Sequence, residues 1–151
     1  MSISTITPAS LGGVPAFSAY ASVNQTGISS GVFSKITFDT ETFDTSNNFA
    51  TSRFTPTVAG YYQINSGVQI VTAGASSNWI SIVKNGTEYR RGIRSPVAGA
   101  SNVGCSVADV VYMNGSTDYL EIYGFSNGGT WQTEGNSAGG CYFSGCLVRS
   151  A

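Results

Sequence analysis

The sequence predicts an all-β protein, a two-layer antiparallel sandwich or barrel of about eight to ten short strands. Three observations carry that prediction. Of the 151 residues only 10% are charged, while Gly, Ser, Thr and Asn together make up about 44%, a mix that suits strands and turns and excludes long amphipathic helices. Short runs rich in Val, Ile, Thr, Tyr and Phe recur between turn residues at fairly regular spacing. The pairs Asn85-Gly86 and Asn114-Gly115 mark tight hairpins, because both residue types tolerate positive φ. With 41% hydrophobic and 12% aromatic residues, and no 18-residue apolar run, the chain is a globular body rather than a disordered linker or a membrane-spanning helix.

Residues 1–15 are small and polar and include Pro8, Gly12, Gly13 and Pro15. They read as an extended arm, either frayed or docked on a neighbour, ahead of one folded domain over residues 16–151. The runs that follow are residues 16–23, 33–38, 53–58, 61–71, 79–84, 88–93, 103–113, 119–125 and 141–149, broken at Gly60, at the two Asn-Gly pairs and around Gly128-Gly129. In the run 61–71, Tyr62, Ile64, Ser66, Val68 and Ile70 form a mainly apolar face against the amides of Gln63, Asn65 and Gln69, so that strand has one core face. Residues 107–113 differ. Val107, Val111 and Met113 lie on one side, Ala108, Val110 and Tyr112 on the other, and Asp109 is the only charge. A sandwich covers one side of each sheet, so this two-faced strand expects either a locally thicker chain or a second subunit. In the run 119–125, Tyr119, Tyr123 and Phe125 form an aromatic stripe opposite Leu120 and Ile122, fit for surface packing or for contact.

A net charge of −1 leaves no broad basic face for a nucleic-acid backbone, and it gives little colloidal repulsion, which is compatible with life inside an assembly. His is absent, which removes the commonest acid-base side chain and metal ligand and excludes any Ser-His-Asp arrangement. The opening residues have neither a basic stretch nor a continuous apolar one, so they do not read as a secretory signal. Cys105, Cys141 and Cys146 are expected to be free thiols serving as small apolar filler. The last two, five apart on one strand, point to opposite faces. With no secretory signal, the three Asn-x-Ser/Thr matches at Asn24, Asn85 and Asn114 read as chance in an Asn- and Thr-rich chain.

Asp39, Glu41 and Asp44 are the densest acidic group, either a weak oxygen-ligand cation site or a solvated loop. Lys84, Glu88, Arg90, Arg91 and Arg94 form a charged hairpin that either grips a partner or keeps an edge strand soluble. Trp131 stands among polar, flexible neighbours, either exposed for ligand contact or capping one end of the sandwich; Arg90 and Arg91 are the other candidate contacts.

Read together, Ala16-Phe17-Ser18-Ala19, Phe43-Asp44-Thr45, the stretch Arg53 to Tyr62 (RFTPTVAGYY), Lys84-Asn85-Gly86, Asp118-Tyr119-Leu120-Glu121 and Phe143-Ser144-Gly145 occur in a familiar order. The chain resembles the C1q-like domain family over residues 16–149. It departs from that family where Ser52 and Phe43 stand for a usual glycine and tyrosine, and where a Gly-Asp pair is opened to Gly115-Ser116-Thr117-Asp118. The 151 residues contain no Gly-X-Y repeat, so the resemblance is to the domain without a collagen-like stalk. The resemblance implies a ten-stranded jelly roll of the C1q and tumour necrosis factor type, assembled as a homotrimer, with no enzymatic activity and no cofactor. It implies structural roles for Gly60 and Gly145, where backbones come close, and for Phe17, Phe54, Tyr62, Phe143 and Leu147 in the core. The trimer interface is then expected at Val107, Asp109, Val111, Met113, Tyr119 and Tyr123. Without stalk or catalytic set, the chain looks like a bacteriophage virion component. It would be a capsid decoration or a short head or tail fibre, bound to other virion proteins through its arm, with neither nucleic acid nor membrane as partner. The alternative is a receptor- or carbohydrate-binding head that contacts host surface glycan.

Overall fold

A computed structural model describes residues 14–74, 77–94, 101–135 and 139–151, and among the described residues there are strands and no helix. In chain order the strands are β1 (Ala16–Tyr20), β2 (Ser34–Lys35), β3 (Thr40–Asp44), β4 (Phe49–Ala50), β5 (Arg53–Phe54), β6 (Gly60–Thr72), β7 (Asn78–Lys84), β8 (Thr87–Arg91), β9 (Ser101–Met113), β10 (Leu120–Ser126), β11 (Trp131–Thr133) and β12 (Cys141–Ser150). Each run read from the sequence contains a strand, although the runs at 33–38 and 53–58 shrink to two residues each. The strands β3, β4 and β11 were not legible as runs. The first is a polar, largely exposed edge, and the other two are only two and three residues long. Residues 1–13, most of the expected arm, lie outside the described residues.

Two antiparallel sheets face each other. In the first, β9 pairs along the full length of β6, whose other edge pairs with β12 and β11, and the sheet continues through β1 to β3. In the second, the order is β4, β5, β10, β7, β8, with β2 also on β10. The alternation along β6 shows why the sheets must meet. Tyr62, Ile64, Val68 and Ile70 are buried, while Tyr61 and the amides of Gln63, Asn65 and Gln69 point away. Between the sheets Phe17 stacks on Phe54 at 4.3 Å and on Phe49 at 5.0 Å and meets Phe143 edge-on at 4.9 Å. Leu147 packs against this core from the rim.

The expected close approaches are present. A Cβ on Gly145 would lie 2.7 Å from Ile64 Cδ1 and 2.9 Å from Phe17 Cε1, and one on Gly60 would lie 2.6 Å from Leu147 Cδ1 and against the Arg149 carbonyl. Ser52, standing where the resembling family has glycine, adopts φ 58. Its buried hydroxyl accepts from Phe38 N at 2.8 Å and donates to Phe38 O at 3.1 Å, bonds that a glycine would lack.

Candidate functional site

The candidate surfaces are the two outer faces of the sandwich, and they are built differently. On the first sheet the outward positions are Ala16, Ser18 and Tyr20 of β1, Phe43 of β3, and Tyr142, Ser144 and Cys146 of β12. To these add Tyr61, Gln63, Asn65, Gly67 and Gln69 of β6, and Gly104, Ser106, Ala108, Val110 and Tyr112 of β9. None of these carries a charge; the charges at the margins of the face are Arg149, paired with Tyr61, and Glu134, which accepts from Asn102. Val110 is 45% exposed, Tyr112 42% and Phe43 48%, so the apolar part of this face is open within one chain. Gly67 is covered by the Tyr142 ring, which its lack of a side chain admits.

The outer face of the second sheet holds its charges in partnered sets. Glu121 is 3% exposed, and its Oε1 accepts from Lys35 Nζ at 2.7 Å and Arg53 Nε at 2.9 Å. Burial alone would raise the Glu121 carboxyl, but these two hydrogen bonds and charges outweigh it and hold it below its ordinary value. Arg53 also lies over the Tyr119 ring at 3.9 Å, and Phe33 packs on Tyr123 at 5.1 Å. Further along, Trp79 stacks on Phe125 at 4.0 Å, and Arg91 forms a two-point ion pair with Glu88. That hydrogen bonding, with a further bond from Ser81, lowers the Glu88 carboxyl.

Several sequence expectations need correction. Val107, Val111 and Met113 point into the chain's own core, at 5%, 0% and 0% exposure, and so are unavailable to a neighbour. The two-faced pattern was real, but its free side is Ala108, Val110 and Tyr112. Asp109 lies at the edge of the sandwich, where its Oδ2 accepts from Arg90 Nε at 2.6 Å and ties β9 to β8 of the other sheet. Tyr119 and Tyr123 belong to the opposite outer face, partly buried beside Glu121, and share no surface with β9. Trp131 is 1% exposed, and its indole Nε1 donates to the Ser29 carbonyl at 3.2 Å. It caps the core rather than offering a ring to a ligand. Arg90 and Arg91 diverge, one to Asp109 and one to Glu88, so they do not form a joint grip.

The acidic group is also divided. Asp39 accepts from the backbone N–H of Ser22 at 2.7 Å and from its hydroxyl at 2.8 Å, in that order the causes of its lowered pKa. Asp44 accepts from the backbone of Ser46 and Phe49. Among the described residues no group of three potential ligands could hold a metal ion. The cysteines are free, Cys105 and Cys141 buried and Cys146 exposed. Burial pushes the Cys105 thiol up to about 11 and also raises Cys141. Cys146 lies on the outer face of the first sheet, between Ala16 and Gln63. No hydropathy signal separates that face from the other, since which side of β9 turns outward is fixed only by its pairing with β6.

No protein-family model matches the chain, and no curated protein sequence does. Solved structures do. The chain is similar to Eiger TNF from S. frugiperda, with a TM-score of 0.68 and 9% identity over 91% of this chain and 94% of that one. It is similar to murine APRIL at pH 5.0, with a TM-score of 0.66 and 9% identity over 89% of this chain and 99% of that one. Murine APRIL at pH 8.5 gives a TM-score of 0.59 at 12% identity, with the same coverage. At such identities the likeness establishes the fold, a two-sheet antiparallel jelly roll of the C1q and TNF type.

Proposed function

We propose that the chain is a homotrimeric, non-enzymatic structural protein of a bacteriophage virion. In this reading it is a capsid decoration or short head or tail fibre, held to other virion proteins by its N-terminal arm, residues 1–15. The observation that carries the trimer is the outer face of the first sheet, charged only at its margins, with Phe43, Tyr61, Val110, Tyr112 and Tyr142 open in a single chain. Interface cores are depleted in charge and enriched in aromatics, and an exposed face of this composition calls for a partner. A neighbouring copy supplies the cover, and a head-to-tail contact between this face and a different patch of the next copy makes a closed ring when its rotation closes. The jelly-roll fold supports three as the number. Low charge and abundant Gly, Ser, Thr and Asn support the virion assignment.

Light scattering on the purified chain, with and without residues 1–14, tests this. The expected mass is three times that of the single chain, 15.7 kDa at full length, for both forms, leaving the arm free to anchor. A monomer in both would overturn the trimer. Particles purified from the producing host should contain the chain, and shortened chains should fail to rebind stripped particles. A chain absent from the particles would overturn the virion role.

A second reading, a head that binds a receptor or a surface glycan, is favoured by the aromatic outer face of the second sheet, where Phe33, Trp79 and Phe125 line an open groove with Arg91 and Glu88.

A further inference from the structure

That groove measures about 360 Å³, and its walls and rim differ in chemistry. The walls are aromatic. Trp79 and Phe125 stack at 4.0 Å with their planes 17° apart, which leaves no room between the rings. The Arg91 guanidinium, 4.7 Å from the Trp79 centroid, therefore lies over the other face of the indole. Trp79 is clamped on both sides, and its Nε1 is buried without a partner. The free aromatic surface belongs to Phe33, 36% exposed, and to the partly buried Phe125.

Of the residues that line the groove, one is an anion and one a cation, bonded to each other, and a second guanidinium outside the lining, Arg94, lies 5.7 Å from the Trp79 centroid and donates to Ser77. Arg91 Nε donates to Glu88 Oε1 at 2.8 Å and Nη2 to Oε2 at 2.7 Å, while Ser81 Oγ donates to Oε1 at 2.7 Å. On a regular strand, residues three apart face opposite sides. The register shift between Ile82 and Val83 places Glu88 opposite Val83 and Arg91 opposite Ser81, so both side chains reach the same outer face. Both remain half-open to solvent, at 32% and 50% side-chain exposure.

This combination selects a ligand class. An anion meets an Arg91 already neutralised and a repelling carboxylate beside it, and a cation meets the reverse. A wholly apolar ligand would strip water from the ion pair without replacing its hydrogen bonds. A neutral pyranose meets none of these costs. Its C–H face lies against the Phe33 and Phe125 rings, and its hydroxyls donate to the carboxylate and accept from the guanidinium, as pockets with apolar walls and a few fixed polar groups require. We propose that the groove between Phe33, Phe125, Glu88 and Arg91 binds a neutral pyranose unit of a glycan. The assignment deepens the binding-head reading and rests on it, and it is independent of the virion role.

Saturation-transfer NMR on the full chain tests the proposal, with methyl glucopyranoside, methyl galactopyranoside, N-acetylglucosamine and N-acetylneuraminic acid as probes. At least one neutral pyranoside is expected to take up saturation on its ring protons. Phe125→Ala should weaken binding about tenfold, the equivalent of one stacked ring. Arg91→Ser, on an exposed edge strand where folding is not at stake, should do the same, with circular dichroism and mass unchanged. Neutral sugar binding retained in both variants would overturn this site while leaving the binding-head reading standing. Saturation of N-acetylneuraminic acid alone would overturn the neutral class. No binding by any probe would overturn the site and the glycan form of the reading, and would leave the receptor form standing.

Discussion

The two outer faces of this sandwich solve the same problem in opposite ways. Each is a β-sheet surface that the chain's own core does not cover. The second sheet covers its aromatics with its own ions, with Arg53 over Tyr119 and Arg91 over Trp79, while Lys35 and Arg53 close on the nearly buried Glu121. The first sheet does so only at one end, where Lys84 Nζ lies 5.7 Å from the Tyr112 ring centroid. Its Val110, Phe43 and Tyr142 stand open beside amides and hydroxyls, with the charges of Arg149 and Glu134 at the margins. In the proposed reading, the face that satisfies itself stays in water and the face that does not is completed by a second copy.

Val110→Asp tests this contrast most severely. The position points out of β9 and is 45% exposed, so a lone chain tolerates an acid there. In an assembly the same carboxylate is buried unpaired, at a cost of about 3 kcal/mol for each interface, or roughly a hundredfold in affinity. Scattering mass should fall from trimer to monomer. Phe33→Asp, an equivalent change on the second sheet, should leave the mass as it was. Cys146 supplies an internal reporter, because it lies on the first face, whereas Cys105 and Cys141 are buried with raised pKa values. It should react slowly with a thiol reagent in the parent protein and quickly in Val110→Asp. Equal rates in the two would mean that the face is open in the parent.

Trp131→Ala comes next, and it separates surface from core. Removing an indole that is 1% exposed should cost about 3 to 5 kcal/mol and lower Tm by on the order of 10 °C. The assembled mass should not change, because Trp131 lies on neither outer face. A loss of Tm under about 2 °C would mean that the ring does not fill the end of the core.

Trp131 also marks where sequence patterning runs out. Alternation along β6 and β9 told correctly which residues share a face, because a period of two is local. It did not tell which face turns inward on β9, because Val107, Val111 and Met113 are as apolar as Ala108, Val110 and Tyr112. Only pairing with β6, itself unambiguous through Tyr62 and Ile64, fixes that choice. Trp131 follows Gly128-Gly129 and belongs to a three-residue strand, so its burial depends on the distant partners Ile28 and Ser29, which no local pattern names. The pairing of Glu88 with Arg91 depends on a bulge and was equally hidden. The fold, by contrast, was legible, because its turns and core aromatics are spaced along the chain in the order the jelly roll needs.

Acid should act more on the second sheet, which has three lowered carboxylates, than on the first, where the backbone and hydroxyl of Ser22 lower Asp39. Lys84 and Asn85 hydrogen bonds lower Asp118, the Arg91 bond lowers Glu88, and Lys35 with Arg53 lower Glu121 against its burial. A carboxylate whose pKa is lower folded than unfolded contributes stability that is fully present above the unfolded value, 4.5 for Glu121, and is lost as pH falls through the folded one. Tm should therefore hold between pH 7 and about 5 and fall steeply below about 4. Glu121→Gln should cost about 1 kcal/mol at neutral pH, near the low end for a charged hydrogen bond because Lys35 and Arg53 can rehydrate. It should also flatten the acid limb. An unaltered limb in that variant would mean that the ion triad contributes nothing. The open patch of Phe43, Tyr61, Val110, Tyr112 and Tyr142 contains no carboxylate, so scattering mass should stay at the trimer value from neutrality down to about pH 5. Dissociation within that window would mean that carboxylates, not this patch, hold the copies together.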